Sequence, residues 1–197
     1  MLNLKKIAIT GGIAAGKTTA CIILKKLGAY CINADTIVHK LLSEDTRLIE
    51  KVIQLFGKDI LTNDKVDREK IAKIVFEDRI KLSQLEKLIH SQVIDEIKDE
   101  YELAIQKNKR CFVVEMPLLF EVDEFADYFD ITIAIASKRE ICIERLEKIG
   151  KDNNYYRTRM QNQLPSKTKE EKANIIIKNN KTINDLKQEI EKIINNL

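Results

Sequence analysis

The chain is sparing with the residues that punctuate or cross-link a fold. Its 197 residues include six glycines, two prolines, two histidines and four cysteines. Cys21, Cys31, Cys111 and Cys142 are scattered, form no C-x-x-C pair, and have neither His39 nor His90 at zinc-like spacing. That argues against a zinc site and a disulfide scaffold; each cysteine lies among apolar residues and reads as a small buried hydrophobe. No apolar run approaches the ~18 residues of a membrane helix, and the N-terminus has no secretion signal. A net charge of only +3 gives no strong field to attract nucleic acid. Internal repeats and low-complexity segments are also missing. What remains is ordinary globular composition, 44% hydrophobic and 33% charged, with room for one well-cored domain carrying a mobile subdomain.

Against that scarcity, three of the six glycines fall in Gly11-Gly12-Ile13-Ala14-Ala15-Gly16, followed by Lys17 and Thr18. The string fits G-x-x-x-x-G-K-[ST], the phosphate-binding loop. It follows an apolar run, Leu4 to Ile9, that reads as a strand, and precedes Thr18–Leu27, which reads as a helix closed by Gly28. Glycines let successive backbone N–H groups turn toward phosphate oxygens, and the helix dipole adds attraction for the same anion. Lys17 can then reach the β- and γ-phosphates, and the Thr18 hydroxyl can ligate Mg²⁺. The motif predicts a nucleoside triphosphate site. With reduced thiols, it also points to the cytoplasm.

Further strand candidates lie at Ala29–Ile32, Cys111–Val114 and Ile131–Ala136, with a weaker one at Ile175–Ile177. Helical patterns between them predict βαβ units and a parallel sheet. From Ile37 to Lys109 no strand is evident; Ile71, Ile74, Val75 and then Leu82, Leu85, Leu88, Ile89 keep helical spacing. This long helical insertion suits a substrate-binding subdomain. Residues 138–172 are rich in Lys and Arg. They read either as solvated helices or as a lid bringing cations to a transferring phosphoryl group. The chain has no D-x-x-G, and Asn180-Lys181-Thr182-Ile183 ends in isoleucine where N-K-x-D needs Asp, which argues against a GTPase switch. Small size, helical insertion and basic lid candidate together suggest a P-loop kinase for a small molecule.

The residues further resemble one family. Thr10–Thr19 is similar to the T-G-G-I-x-S-G-K-S-T loop of dephospho-coenzyme A kinases. Gly28–Asp35 followed by His39 resembles their G-A-x-x-I-D-A-D-x-x-x-H segment. Phe56-Gly57, Val66-Asp67-Arg68 and Val75-Phe76 echo their F-G, L-D-R and V-F positions. Leu85–His90 resembles L-E-x-I-x-H, and Pro117–Glu121 matches P-L-L-F-E. Arg159 with Gln163, and Ala173 with Asn179, fall where the family has R-x-x-x-Q and A-D-x-x-x-x-N. The likeness spans nearly the whole chain. Departures are Asn33 for the first Asp of D-A-D, Ser91 where the family usually has Pro, and Asn174 for the Asp of A-D. Arg145 matches the first arginine of R-L-x-x-R, whereas the second falls near Ile149, with Lys148 and Lys151 close by.

The resemblance implies an α/β, three-layer P-loop kinase fold with a parallel sheet, a helical acceptor-binding insertion and a lid. The expected single domain has its core at about 1–37, 110–137 and 173–197, the acceptor subdomain at about 38–109 and the lid at about 138–172. It implies transfer of the γ-phosphate of ATP, with Mg²⁺, to the 3′-hydroxyl of the dephospho-CoA ribose. The partner is then a small molecule, with no nucleic acid, membrane or obligate protein partner. ATP is expected on Gly12, Ile13, Ala14, Ala15, Gly16, Lys17, Thr18 and Thr19, with Arg159 and Asn179. Thr18 is the metal ligand, and Lys17, Asp35 and Arg145 are the catalytic set. Asp35 follows the second strand at the edge that carries the phosphate loop, where a carboxylate can take the proton of the attacking hydroxyl. Its alternative role is to cap the helix starting at Thr36. The acceptor is assigned to Asp35, Arg68, His90 and the wall Pro117, Leu118, Leu119, Phe120. The alternatives are a surface arginine, a satisfied helix histidine and plain core packing. Glu115, closing the run Phe112–Val114, is placed to aid Mg²⁺ through water. Another small-molecule kinase of the same fold and a nucleotide-dependent switch are the competing functions.

Overall fold

Five apolar runs pair into one parallel sheet, and the helices between them follow from the crossovers that parallel pairing requires. The structure is a computed structural model that describes residues 4–161 and 163–196. In chain order the elements are β1 (Lys6–Thr10), α1 (Lys17–Lys26), β2 (Tyr30–Asn33), α2 (Ala34–Glu44), α3 (Thr46–Phe56), β3 (Leu61–Thr62) and β4 (Lys65–Val66). Then come α4 (Arg68–Glu77), α5 (Arg79–Gln106), β5 (Phe112–Glu115), α6 (Asp123–Ala126), β6 (Ile131–Ala136) and α7 (Arg139–Glu147). The chain ends with α8 (Asn153–Gln161), α9 (Ser166–Lys172), β7 (Ile175–Lys178) and α10 (Ile183–Asn195).

The chain divides into two compact units. One comprises Met1–Asn33 with Tyr101–Leu197, and the other Ala34–Glu100. In the first, the strand order is β2-β5-β1-β6-β7, all parallel. β5 is buried throughout and β6 nearly so, the continuous apolar pattern of strands covered on both faces. Ile7, Ile9, Leu24, Ile133, Ile135 and Ile190 share the principal core cluster. On the edge of Phe112 the Tyr101 ring packs T-shaped at 5.5 Å, and its hydroxyl donates to the Leu4 carbonyl at 3.0 Å. All four cysteines are buried, as their apolar neighbours predict. Burial pushes the Cys111 thiol up to about 11, and a thiol hydrogen bond with Cys31, then burial, raises Cys21. They act as packing, not chemistry.

Asn174 shows how one substitution in the family pattern is absorbed. Its Oδ1 accepts from Thr132 N at 2.8 Å and Thr132 Oγ1 at 2.9 Å, so an amide oxygen does what a carboxylate would. α10 begins with a capping box: Asp185 N donates to Thr182 Oγ1 and Thr182 N donates to Asp185 Oδ2.

The second unit is mostly helical, but the expectation of no strand between Ile37 and Lys109 is corrected. Leu61–Thr62 and Lys65–Val66 form an antiparallel hairpin. Its turn residues Asn63 and Asp64 both take positive φ, 51° and 58°, as a type I′ turn requires. Two-residue strands are too short to show a period of two in the sequence. α3 buries Leu48, Val52 and Phe56, four residues apart on one face, and Asp45 caps it by accepting from Leu48 N at 2.9 Å.

Replacing Thr182 by Ala removes one half of the capping box. The expected loss is ~1 kcal/mol, or roughly 2–4 °C in Tm, read by thermal unfolding with circular dichroism.

Candidate active site

β1 ends at Thr10 and the chain turns back through Gly11–Gly16 into α1. Two glycines are there because nothing else fits. Gly11 has φ +140° and a Cβ on it would lie 2.2 Å from the Ile135 carbonyl oxygen. Gly16 has φ +105°, and its Cβ would lie 2.2 Å from Asn179 Nδ2. Between them Ala14 is held at φ 56°, a conformation that costs an L-residue roughly 1 kcal/mol or more. α1 starts from Gly16 with no side-chain cap and no acidic residue in its first turn. Its first N–H groups and the positive end of its dipole are therefore available to an anion.

Amides that turn toward a ligand leave their carbonyls facing the protein, and these need donors. Arg145, on α7, serves two of them, Ala14 O and Ala15 O. Its Nη1 lies 3.1 Å from Ala14 O, 3.2 Å from Ala15 O and 3.0 Å from Ser137 Oγ, and its Nη2 is 2.9 Å from Asn179 O. Asn179 Nδ2 donates to Ala15 O at 2.8 Å, and Ser137 Oγ lies 3.2 Å from the same carbonyl. Lys17 Nζ donates to Gly11 O at 3.0 Å and Gly12 O at 2.8 Å. The loop is thus gripped through its carbonyls by residues that follow β6 and β7.

At the start of α1, Thr18 Oγ1 donates to Glu115 Oε1 at 2.8 Å. Glu115 ends β5, flanked in register by Ile9 on β1 and Asn33 on β2, and is buried. A hydroxyl and a carboxylate side by side are hard oxygen donors of the kind Mg²⁺ takes. Among the described residues no group of three or more His, Cys, Asp or Glu could cage an ion. The pair supplies two oxygens, so an ion held there would complete its shell with phosphate oxygens and water.

A cavity of about 550 Å³ opens beside the loop, within the size range of small-molecule sites. Of the expected nucleotide residues, Ile13, Ala14, Gly16, Lys17, Thr18 and Thr19 line it, with Arg145 and Asn179. Leu146, Ile149, Tyr155, Lys181 and Ile183 also line it. Among these, Ile149 and Ile183 are 69% and 68% exposed, an apolar surface left open beside a phosphate loop. The sequence held no signal for Ser137 or Ile183. Arg159 does not line this cavity; its guanidinium lies 5.4 Å from the centre of the Tyr155 ring, and Tyr155 does line it.

Of the acceptor-wall residues, Leu119 is fully buried and Phe120 nearly so, whereas Leu118 is 43% exposed. Only Pro117 and Leu118 have surface to offer a ligand. In the second unit, Arg68 Nη1 lies 3.3 Å from His39 Nδ1, which brings two motif residues together. His90 lies on α5, half-buried. Asp35 follows the end of β2 by two residues. The capping alternative for it is corrected: α2 starts at Ala34, so Asp35 sits inside the first turn, exposed. Among the described residues its carboxylate receives no hydrogen bond.

A family model described as Dephospho-CoA kinase matches residues 5–185. A dephospho-CoA kinase from Protochlamydia amoebophila is 38% identical over 200 residues, covering 100% of this chain and 98% of that protein. A solved dephospho-CoA kinase from Campylobacter jejuni superposes with a TM-score of 0.70 at 31% identity, covering 96% of this chain and 95% of that one. A Thermus thermophilus protein, TT1252, shares the fold, with a TM-score of 0.85 at 23% identity over 99% and 98% of the two chains.

If Arg145 holds the loop, Arg145→Lys, which replaces a planar fork by a single ammonium, should raise the Kd for Mg·ATP roughly tenfold. Isothermal titration checks this; an unchanged Kd would make the carbonyl grip dispensable.

Proposed function

The chain belongs to the dephospho-CoA kinase family, and from that premise we propose how its own residues perform the family's reaction. It is a P-loop kinase that transfers a phosphoryl group from ATP to the 3′-hydroxyl of the dephospho-CoA ribose, giving CoA and ADP in the last step of CoA biosynthesis. No helix among the described residues is long and apolar enough to cross a membrane. We assign the enzyme to the cytoplasm, where a soluble acceptor and ATP meet, and we assign it no nucleic acid and no obligate protein partner.

The Thr18–Glu115 pair, at the strand edge from which the loop springs, carries the mechanism. Loop amides from Gly12 to Thr19 hold the β- and γ-phosphates, with Gly16 giving the close approach. Lys17 leaves the Gly11 and Gly12 carbonyls for the phosphates, exchanging neutral acceptors for charged ones. Thr18 and, beside it, Glu115 would hold Mg²⁺. When bound, Mg²⁺ neutralises charge on the phosphate oxygens during transfer. Ile149 and Ile183 offer the nucleobase an apolar shelf, with Asn179 beneath the loop.

Asp35 takes the proton of the attacking hydroxyl. Its support is chain position, two residues beyond β2, and a carboxylate without hydrogen bonds among the described residues. Arg68, paired with His39, and His90 hold the acceptor's anionic groups, and Pro117 and Leu118 bound its apolar part. α7 to α9 form the lid. Arg145 serves it at the hinge by fixing the loop, and Arg159 is the cation that closes over the phosphates.

Incubation with Mg·ATP and dephospho-CoA should yield CoA by mass, with no product from an adenylate or nucleoside panel. Phosphorylation of a panel member without CoA would overturn the acceptor assignment. Asp35→Asn should keep the Kd for ATP and lose at least ~100-fold in kcat; near-normal turnover would remove it from catalysis.

A further inference from the structure

Lys169 is fully buried, unusual for a lysine, and no step of the mechanism above uses it. It lies on α9. Its Nζ makes an ion pair with Glu121 Oε1 at 2.8 Å, donates to Pro117 O at 2.5 Å and lies 3.5 Å from Gln163 Oε1. Glu121 Oε1 also accepts from Leu164 N at 2.8 Å, while Oε2 is buried with no hydrogen-bond partner among the described residues. The Pro117 carbonyl has a second donor, Thr10 Oγ1, at 3.2 Å. Thr10 is the last residue of β1, immediately before the phosphate loop.

α9 meets the loop a second time. A Cβ on Gly12 would lie 2.8 Å from Ser166 Oγ, so the first residue of α9 rests directly on the loop's second glycine. One short helix therefore touches the phosphate loop through Ser166 and holds the Pro117–Glu121 segment through Lys169. Pro117 is in turn tied back to the loop by Thr10. An ammonium is costly to bury, and a methionine would fill the same space without that cost. What the methionine lacks is three protons aimed at three acceptors, two on the Pro117–Glu121 segment and one on Gln163.

We propose that Lys169 is a positioning residue. By gripping the Pro117 carbonyl and Glu121 it sets the distance between the phosphate loop and the exposed face of Pro117-Leu118, and transmits the seating of α9 to that face. The proposal rests on the reading that this face borders the acceptor. It acts through Pro117, so it governs how the acceptor hydroxyl meets the γ-phosphate rather than whether ATP binds. A misplacement of about 1 Å at that meeting point is enough to cost on the order of 100-fold in rate.

The test compares wild type, Lys169→Met, Lys169→Arg and the double variant Lys169→Met/Glu121→Leu with Mg·ATP and dephospho-CoA. Readouts are Tm, the Kd for ATP, kcat, the acceptor KM and the ratio of ADP to CoA formed. The double variant removes both charges, so it stays folded even where the single variant leaves Glu121 stranded. We expect ATP Kd values within twofold of wild type, kcat lower by roughly 10- to 100-fold in both methionine variants, and a higher acceptor KM. ADP should exceed CoA as water competes with a misplaced acceptor, and Lys169→Arg should recover part of the rate. A folded double variant with wild-type kcat, acceptor KM and a ratio near one would overturn the proposal. Absence of CoA from the wild-type enzyme would instead overturn the acceptor reading on which it rests.

Discussion

A backbone that presents its amides to a phosphate must turn its carbonyls the other way, and those carbonyls have to be satisfied inside the protein. Most of the first unit follows from this requirement. The loop from Gly11 to Gly16 has only small side chains and Ile13, and one of its alanines is held at positive φ. It cannot stabilise itself. Its carbonyls are met by Arg145, Asn179, Ser137 and Lys17. Ser137 follows β6, Arg145 stands on the helix after it, and Asn179 follows β7. The strand order, with β6 beside β1 and β7 beside β6, brings all three to the loop.

Packing and chemistry are joined at the same edge. The apolar runs of β1, β5 and β6 bury on both faces, and their C-terminal ends then deliver polar groups: Thr10, Glu115 and Ser137. Glu115 is tolerated as a buried carboxylate because Thr18 donates to it. Lys169 and Glu121 repeat that arrangement where α9 meets the Pro117–Glu121 turn. Buried charge in this fold is concentrated where segments without regular hydrogen bonding must be fixed.

The legible part of the fold is the part with local signals. The glycine loop, its flanking strand and helix, and the five strands of the sheet stand out because period and composition change sharply at their ends. The β3-β4 hairpin was invisible because a two-residue strand has no period. Ala34 carries no boundary signal, so the sequence predicts the helix only from Thr36, whereas α2 starts at Ala34 and Asp35 is a first-turn residue. In the site, Lys17 and Thr18 were legible from spacing, and Glu115 from its place at the end of an apolar run. Arg145 was found as a cation, but its attachment to Ala14 O and Ala15 O depends on strand order, which no local pattern encodes. Ser137, Ile183 and the burial of Lys169 depend on tertiary packing alone.

The central claim is that the loop is preformed from its carbonyl side and receives the nucleotide without being remodelled. A crystal structure with a non-hydrolysable ATP analogue and dephospho-CoA tests it directly. The bonds from Arg145 to Ala14 O and Ala15 O, and from Asn179 to Ala15 O, should persist while Lys17 Nζ moves from the Gly11 and Gly12 carbonyls to the phosphates. Loss of the Arg145 and Asn179 bonds, with Ala14 leaving positive φ, would contradict it.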